Sequence, residues 1–317
     1  IWGFYFLTCF YFCVIEPKVK FFENPVVKLV NNVVIIGTCA FTAFLLLSNL
    51  PWYLPSVGDG ESIVPAFYLI VFAAIAFAVY SSTSIKYVRI LSLTTTWVFI
   101  ALIVGMWAGA FIFGESKMMA YFTNLGLIGG YFANIDNFVL PINEYHAFYL
   151  FWWFSWSIMI GQFTSRFVGG LRTYQVLLAM MVIPSIPIAA WFSVLYHYHS
   201  AGIPTEGITN LAMVFVGVVF VINSLDSLIR LYTDNLNISV ERIGKTNYIA
   251  LNIVALSLLT LLFKLDFLQI QWVGALVIAI FFSCFAFILS QKFKSVTAIK
   301  TSPKENKIDF TKIENLN

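Results

Sequence analysis

LVNNVVIIGTCAFTAFLLLSNL, residues 29–50, is the stretch that decides the class of fold. It contains no Asp, Glu, Lys or Arg. A helix rises about 1.5 Å per residue, so about 20 apolar residues are enough to cross the ~30 Å hydrocarbon core of a bilayer. The stretch therefore predicts a transmembrane helix. Its polar members include Thr38 and Thr42, which are one helical turn apart and share a face.

The composition of the whole chain agrees with that prediction. Of its 317 residues, 60% are hydrophobic and 10% are charged, whereas an ordinary soluble domain carries about 25% charged residues. Similar apolar runs predict an all-α, polytopic membrane protein with about nine transmembrane helices. The runs are residues 1–15, 29–50, 63–82, 90–113, 147–165, 173–196, 208–231, 247–264 and 267–290. The first run is short and the chain opens inside it, so we expect earlier helices to be missing from this sequence.

The basic residues give these helices an orientation, because cytoplasmic loops carry an excess of Lys and Arg. The tail and alternate connections, counted from the one after the first run, hold all of the 18 Lys and Arg residues except Lys117 and Lys264. This pattern predicts a transmembrane core over residues 1–290 and a cytoplasmic tail over residues 291–317, in a cell membrane. The net charge of +3 is too small to indicate a nucleic-acid partner. We expect the lipid bilayer as the main surroundings.

A cluster of tryptophans in the fifth run is the first candidate site. Trp152 and Trp156 are four residues apart, and Trp153 and Trp156 are three apart, so their side chains adjoin on a helix. Such a face can hold a quaternary ammonium group by cation–π attraction, without any hydrogen bond. The same cluster is also typical of the aromatic belt at a membrane surface. The residues alone leave both interpretations open.

Polar residues inside the seventh run form the second candidate site. Asn223, Ser224, Asp226 and Ser227 interrupt an otherwise apolar segment, and polar groups at membrane depth often mark function. Their oxygens suit Na⁺ as ligands, but they could equally hold helices together by hydrogen bonds. Asp226 and Arg230 are four residues apart and can pair along the helix. The threonines of the second run could likewise bond their own backbone carbonyls.

Motifs of enzymes are missing from the sequence. His146, His197 and His199 fall at the ends of runs, and we interpret them as solvated loop residues. The chain has no Gly-rich phosphate loop, CxxC pair or nucleophile motif. We therefore expect no enzymatic activity.

Four segments resemble the betaine/choline/carnitine transporter (BCCT) family. Residues 148–166, FYLFWWFSWSIMIGQFTSR, resemble its Trp-rich signature helix, with Phe163 and Arg166 as the FxxR element. Residues 221–227, VINSLDS, resemble the FVTSADS segment of the family. Residues 35–38, IIGT, together with Thr42 resemble its paired-threonine helix, and residues 1–5, IWGFY, are similar to a Pro-Trp-x-x-Tyr element.

The resemblance implies a secondary transporter of quaternary-ammonium solutes of the glycine betaine, choline or carnitine class, often coupled to Na⁺. It implies part of a LeuT-like fold of two inverted repeats around a midplane site. The implied aromatic box consists of Trp2, Tyr5, Trp152, Trp153 and Trp156. The implied Na⁺ ligands are Thr38 and Thr42 at one site, and Asn223 and Ser224 at the other. Na⁺ would be a coupling ion, and no other cofactor is expected.

Two departures from the family pattern motivate an alternative. The usual Pro-Phe after the Trp-rich segment is Ile158-Met159 here, and Asn223 replaces a Thr. The chain could therefore be a transport-inactive sensor or partner subunit with a transporter fold. Self-association into a homo-oligomer is left open.

Overall fold

Helices make up most of the described parts of the chain, and these parts contain no strand. The computed structural model describes residues 2–113, 117–138 and 140–299. The helices are α1 (Trp2–Phe10), α2 (Glu16–Val19), α3 (Pro25–Tyr53), α4 (Pro65–Ser82), α5 (Ile85–Phe113), α6 (Met118–Ala133), α7 (Glu144–Ser165), α8 (Thr173–Leu177), α9 (Ser185–Ala201), α10 (Ile208–Asn235), α11 (Val240–Ile243), α12 (Lys245–Lys264), α13 (Ile270–Phe287) and α14 (Phe293–Thr297). Turns of π-helix continue α1 into α2, lead from α8 towards α9, and continue α13 into α14.

The prediction of an all-α, polytopic membrane protein is confirmed. Seven described helical segments are long and apolar enough to cross a membrane: Pro25–Tyr53, Pro65–Ser82, Ile85–Ile112, Thr173–Ala201, Ile208–Asn235, Lys245–Lys264 and Ile270–Thr297. The first and fifth predicted runs are also helical, as residues 2–19 and as α7. The last helical segment passes the predicted core boundary at residue 290 and reaches Thr297. The predicted tail from residue 300 onward lies outside the described residues.

The ends of the key helices follow from local sequence signals. Asn24 caps α3, because its side chain accepts a hydrogen bond from the backbone N–H of Val26 at 2.9 Å, and Pro25 fits the first helical turn. Asn143 caps α7 in the same way, with the N–H of His146 at 2.7 Å. These two caps fix where the helices that carry the threonine pair and the tryptophan cluster begin.

The core is centred on α3, which packs against α4, α10, α12 and α13. Apolar side chains of α3, among them Val34, Ile35 and Leu50, are fully buried in this packing. Helix α10 packs against α3, α4 and α5. The polar residues of the second and seventh runs therefore lie on helices that face each other in the middle of the bundle.

Helices α1 and α7 approach each other very closely at Gly161. A Cβ atom added there would lie 2.7 Å from the Cβ of Thr8 and 2.8 Å from its carbonyl carbon. The Thr8 hydroxyl donates a hydrogen bond to the carbonyl oxygen of Ser157 at 2.8 Å. This contact holds α1 against the helix that bears the tryptophan cluster.

Candidate functional site

The three tryptophans of α7 form one aromatic cluster. The ring centroids of Trp152 and Trp153 are 5.0 Å apart, and those of Trp152 and Trp156 are 6.3 Å apart with perpendicular planes. All three side chains are half-buried. The perpendicular rings present both an edge and a face, an arrangement that suits aromatic contact and can also offer a face to a cation.

Two indole nitrogens of this cluster are buried and unpaired. Among the described residues, Nε1 of Trp152 and Nε1 of Trp156 have no hydrogen-bond partner. A buried N–H that lacks an acceptor costs free energy, and a bound solute or a water molecule would satisfy it. The cluster therefore combines two properties of a binding site, namely aromatic faces and unused donors.

Tyr5 is joined to the same cluster from α1. Its side chain is 1% exposed, and its hydroxyl donates a hydrogen bond to the carbonyl oxygen of Trp153 at 2.7 Å. The structure thus brings together Tyr5 and the three tryptophans, although they are far apart in sequence. Trp2 lies on α1 one turn before Tyr5, but its side chain is outside the described residues.

The predicted Na⁺ ligands on α3 lie deep in the core. The Thr42 hydroxyl donates to the carbonyl oxygen of Thr38 at 2.8 Å, so Thr42 makes the backbone bond that was the alternative interpretation. Thr38 is fully buried, and within the described part of the chain its hydroxyl oxygen has no hydrogen-bond partner. Thr38 is therefore the member of the pair whose oxygen is free for a ligand.

The predicted ligands on α10 are half-buried. The side-chain oxygen of Asn223 accepts a hydrogen bond from the Ser92 hydroxyl of α5 at 2.8 Å. Asn223 thus holds two helices together, which is the alternative that the sequence left open. Ser224 lies beside it on α10. The two predicted pairs belong to α3 and α10, which pack against each other.

Asp226 and Arg230 do not pair, although their spacing on the helix allows it. Asp226 is fully buried and accepts hydrogen bonds from the hydroxyls of Ser81 at 2.6 Å and Ser227 at 3.1 Å. Arg230 instead contacts Asp234, with Nε 3.2 Å from Oδ2. The positions of the two side chains on α10 explain why they do not meet. Asp226 faces α4 in the interior, whereas the long arginine side chain extends towards the polar end of α10.

A polar cleft of about 930 Å³ lies at one end of the helices, which the basic residues predict to face the cytoplasm. Its lining consists of Phe12, Glu16, Pro17, Lys20, Phe22, Glu23, Lys28, Asn31, Gln162, Ser165, Arg166, Asp234, Asn235, Asn237, Ser239 and Arg242. None of the tryptophans belongs to this lining. The sequence does not predict the cleft, because its walls come from three segments that are far apart in the chain.

Arg166 is one of the charged residues that line the cleft, and it directly follows the last turn of α7. Its Nη1 lies 3.3 Å from the carboxylate of Asp234, and its Nη2 lies 3.3 Å from the side-chain oxygen of Asn235. Burial lowers the pKa of Arg166 from its ordinary value, and the carboxylate of Asp234 opposes that shift. The guanidinium keeps its charge, since arginine starts from a very high pKa.

The interpretation of His197 as a solvated loop residue is also wrong. His197 is inside α9 and is 3% exposed. Its Nδ1 lies 3.0 Å from the side-chain nitrogen of Asn124 in α6. Its ring adjoins the rings of Phe111 and Tyr121. Helix α9 extends to Ala201, beyond the predicted end of the run at residue 196, and therefore carries this histidine into the packing with α6.

Comparison with known proteins gives one partial similarity. Over 88 residues the chain is 27% identical to Glycine betaine transporter 1 of Vibrio parahaemolyticus serotype O3:K6 (strain RIMD 2210633). The matched segment covers 28% of this chain and 16% of the length of that transporter. No protein-family model matches the chain.

Proposed function

We propose that this protein is a secondary transporter of quaternary-ammonium solutes of the glycine betaine, choline or carnitine class. The observation that carries the proposal is the cluster of Trp152, Trp153 and Trp156 on α7, to which Tyr5 of α1 is hydrogen bonded. The partial similarity to a glycine betaine transporter also supports a transporter, and so do the helices that are long and apolar enough to cross a membrane.

The chemistry of the cluster fits the proposed solute. A quaternary ammonium group has no N–H, so hydrogen-bond acceptors cannot recognise it. Aromatic faces attract it by about 0.5–1 kcal/mol at exposed sites and by about 2 kcal/mol where water is excluded. The unpaired indole N–H groups of Trp152 and Trp156 would serve the oxygen atoms of the same solute.

Coupling to Na⁺ belongs to the same proposal. The free hydroxyl oxygen of Thr38, together with Thr42, would contribute to one site, and Asn223 with Ser224 to the other. The proposed setting is a cell membrane, with the tail in the cytoplasm and a LeuT-like arrangement of repeats. Replacing Na⁺ by K⁺ should then reduce uptake strongly, and equal uptake in both salts would refute the coupling.

Uptake by proteoliposomes tests the proposal. We expect radiolabelled glycine betaine or choline to accumulate, and Trp156→Ala to raise the apparent KM about tenfold, because about 1.4 kcal/mol of binding free energy corresponds to that factor. Trp97→Ala is the matched control, since this tryptophan lies on α5 and is 68% exposed. It should change KM by less than about twofold. No uptake of either solute would refute the proposed function, and equal KM values in all proteins would refute the role of the cluster.

A second function is favoured by the state of Asn223. Its oxygen is already bonded to Ser92, and Met159, which stands where the family pattern has Phe, is fully buried in the core. A protein with an intact aromatic cluster and altered ion sites could bind solute without moving it, as a sensor or partner subunit. Saturable binding without uptake would favour this alternative.

A further inference from the structure

The carboxyl-terminal end of α1 continues into a turn of π-helix, Tyr11–Ile15, before α2 begins at Glu16. The backbone N–H of Glu16 donates to the carbonyl oxygen of Tyr11, five residues back, so this turn is wider than a turn of α-helix. After α2 the chain reverses at Lys20, whose φ is 57°. A turn of π-helix interrupts the regular ladder of helical hydrogen bonds and is frequent at functional sites. The end of α1 therefore needs contacts from outside its own ladder to hold its position.

The carboxylate of Glu16 supplies such contacts on both sides of α2. Its Oε2 accepts hydrogen bonds from the Tyr11 hydroxyl at 2.6 Å and from the backbone N–H of Phe21 at 3.2 Å. Its Oε1 accepts a hydrogen bond from the backbone N–H of Phe22 at 2.7 Å. Hydrogen bonds to an ionised acceptor are roughly twice as strong as those between neutral groups. One side chain thus joins the start of the π-turn to the segment that follows α2.

Tyr11 extends this connection to α13. Its hydroxyl accepts a hydrogen bond from Sγ of Cys284 at 3.2 Å, and Cys284 is 7% exposed. The ring of Phe21 lies 5.6 Å from the ring of Phe287, at the end of the same helix. Helix α13 also packs against α7, which carries the tryptophan cluster. The end of α1 is therefore fastened to a helix that supports the candidate site.

Three anchors follow one another along α1 at intervals of three residues. Tyr5 and Thr8 donate to carbonyl oxygens of α7 at 2.7 and 2.8 Å, and Tyr11 donates to Glu16. Residues three apart adjoin on a helix, and Tyr5 lies only about 9 Å from Tyr11 along the helix axis. A displacement of the third anchor is therefore transmitted to Tyr5 and to its contact with the cluster.

The proton affinity of Glu16 gives this connection a measurable signature. Burial raises the pKa of Glu16 from its ordinary value, the hydrogen bonds from Tyr11 and the backbone oppose that shift, and the charge of Glu23 adds to it. The packed arrangement therefore binds a proton more tightly than a loosened one with Glu16 in water, so acidification favours the packed arrangement. The other titratable or charged groups on neighbouring elements are Lys18 on α2, Cys284 on α13, Lys292 and Lys294 at α14, and Lys20, Lys28, Arg166, Asp234 and Arg242 in the cleft.

We propose that Glu16 is a positioning residue of the transporter, whose carboxyl group holds the π-turn of α1 against α13 and thereby fixes Tyr5 in the aromatic cluster. The inference rests on the proposed function and deepens it, because it adds a residue that acts on solute binding without contact to the solute. Loss of this connection should weaken binding although every aromatic side chain of the cluster remains.

Equilibrium binding of radiolabelled glycine betaine to the purified protein in nanodiscs tests this role. A protonated carboxyl group keeps two oxygen atoms, whereas the amide of glutamine offers one acceptor oxygen to the three donors around Glu16. We expect Glu16→Gln to raise the Kd at least fivefold. Glu23→Gln is the matched control, because it removes the same charge from an exposed side chain of the same cleft. It should change the Kd by less than twofold.

A second variant keeps the test independent of the folding of Glu16→Gln. Tyr11→Phe removes only the hydroxyl that joins Glu16 to Cys284, so it should raise the Kd by a similar factor. Because the two changes remove the same connection, the double variant should bind no more weakly than the weaker single variant. Factors that multiply in the double variant, or an unchanged Kd in both single variants, would overturn the proposed role.

A pH profile separates positioning by Glu16 from a general loss of packing. Between about pH 8 and about pH 5.5 the Kd of the unmodified protein should fall at least twofold, since protonation favours the packed arrangement, and Glu16→Gln should abolish this fall. The same pH dependence in both proteins would overturn the role of Glu16. Absence of binding by the unmodified protein would refute the proposed function together with this role, whereas binding with equal Kd in Glu16→Gln refutes only the role.

Discussion

Gly161→Ala should weaken the contact between α1 and α7 on which the aromatic cluster depends. The new Cβ would lie 2.7–2.8 Å from three atoms of Thr8, and ordinary contact requires about 3.5–4.0 Å. The helices must therefore separate by about 1 Å, and overpacking of this kind costs about 1–3 kcal/mol. The same separation would stretch the hydrogen bonds from Thr8 to Ser157 and from Tyr5 to Trp153, which are 2.8 and 2.7 Å long.

A matched variant removes the effect of helix propensity from this measurement. Alanine stabilises a helix by about 1 kcal/mol relative to glycine, so Gly161→Ala alone would show a reduced loss. Gly217→Ala on α10 makes the same chemical change where an added Cβ meets nothing within 4 Å. In denaturant titrations of both proteins in mixed micelles, we expect the Gly161 variant to be less stable than the Gly217 variant by about 1–3 kcal/mol. Equal stability would refute the close approach of α1 and α7.

Three further outcomes follow from individual contacts. Ser81→Ala removes the 2.6 Å donor of the buried Asp226 carboxylate, so we expect a loss of about 1–3 kcal/mol of unfolding free energy in the same titration, and an unchanged value would refute that bond. Asp234→Asn leaves the guanidinium groups of Arg166 and Arg230 without their carboxylate, so it should lower the free energy of unfolding by more than about 1 kcal/mol. Glu23→Gln removes only an exposed ion pair and should lower it by less. A larger loss for Glu23→Gln than for Asp234→Asn would contradict the buried network. Glycine betaine uptake should fall when K⁺ replaces Na⁺, which a flux assay at constant ionic strength checks.

The membrane class could be predicted from the sequence because hydropathy acts locally. A run such as residues 29–50 is long, mostly apolar and free of charge, and a helix satisfies all of its backbone hydrogen bonds within one such run in lipid. The tryptophan cluster could also be found, since residues three and four apart meet on any helix. The resemblance to the transporter family predicts that Tyr5 belongs to this cluster, but only the structure shows its hydrogen bond to Trp153.

The errors arose where partners come from other helices. Asp226 has two candidate partners, Arg230 on its own helix and Ser81 on α4, and the sequence shows only the first. The apolar run ends at residue 196 and so predicts His197 to lie in a loop, whereas α9 continues to Ala201. The sequence also does not predict the polar cleft, because Asn31 and Gln162 meet only when α3 and α7 pack together.

The central claim is that aromatic faces recognise a quaternary ammonium group, and its most direct test compares two competitors of the same shape. Glycine betaine and 3,3-dimethylbutanoate both carry a carboxylate, but a neutral carbon replaces the cationic nitrogen in the second. We expect glycine betaine to inhibit labelled uptake at least tenfold more strongly, since about 1.4 kcal/mol of cation–π attraction gives that factor. Equal inhibition by the two compounds would contradict the claim.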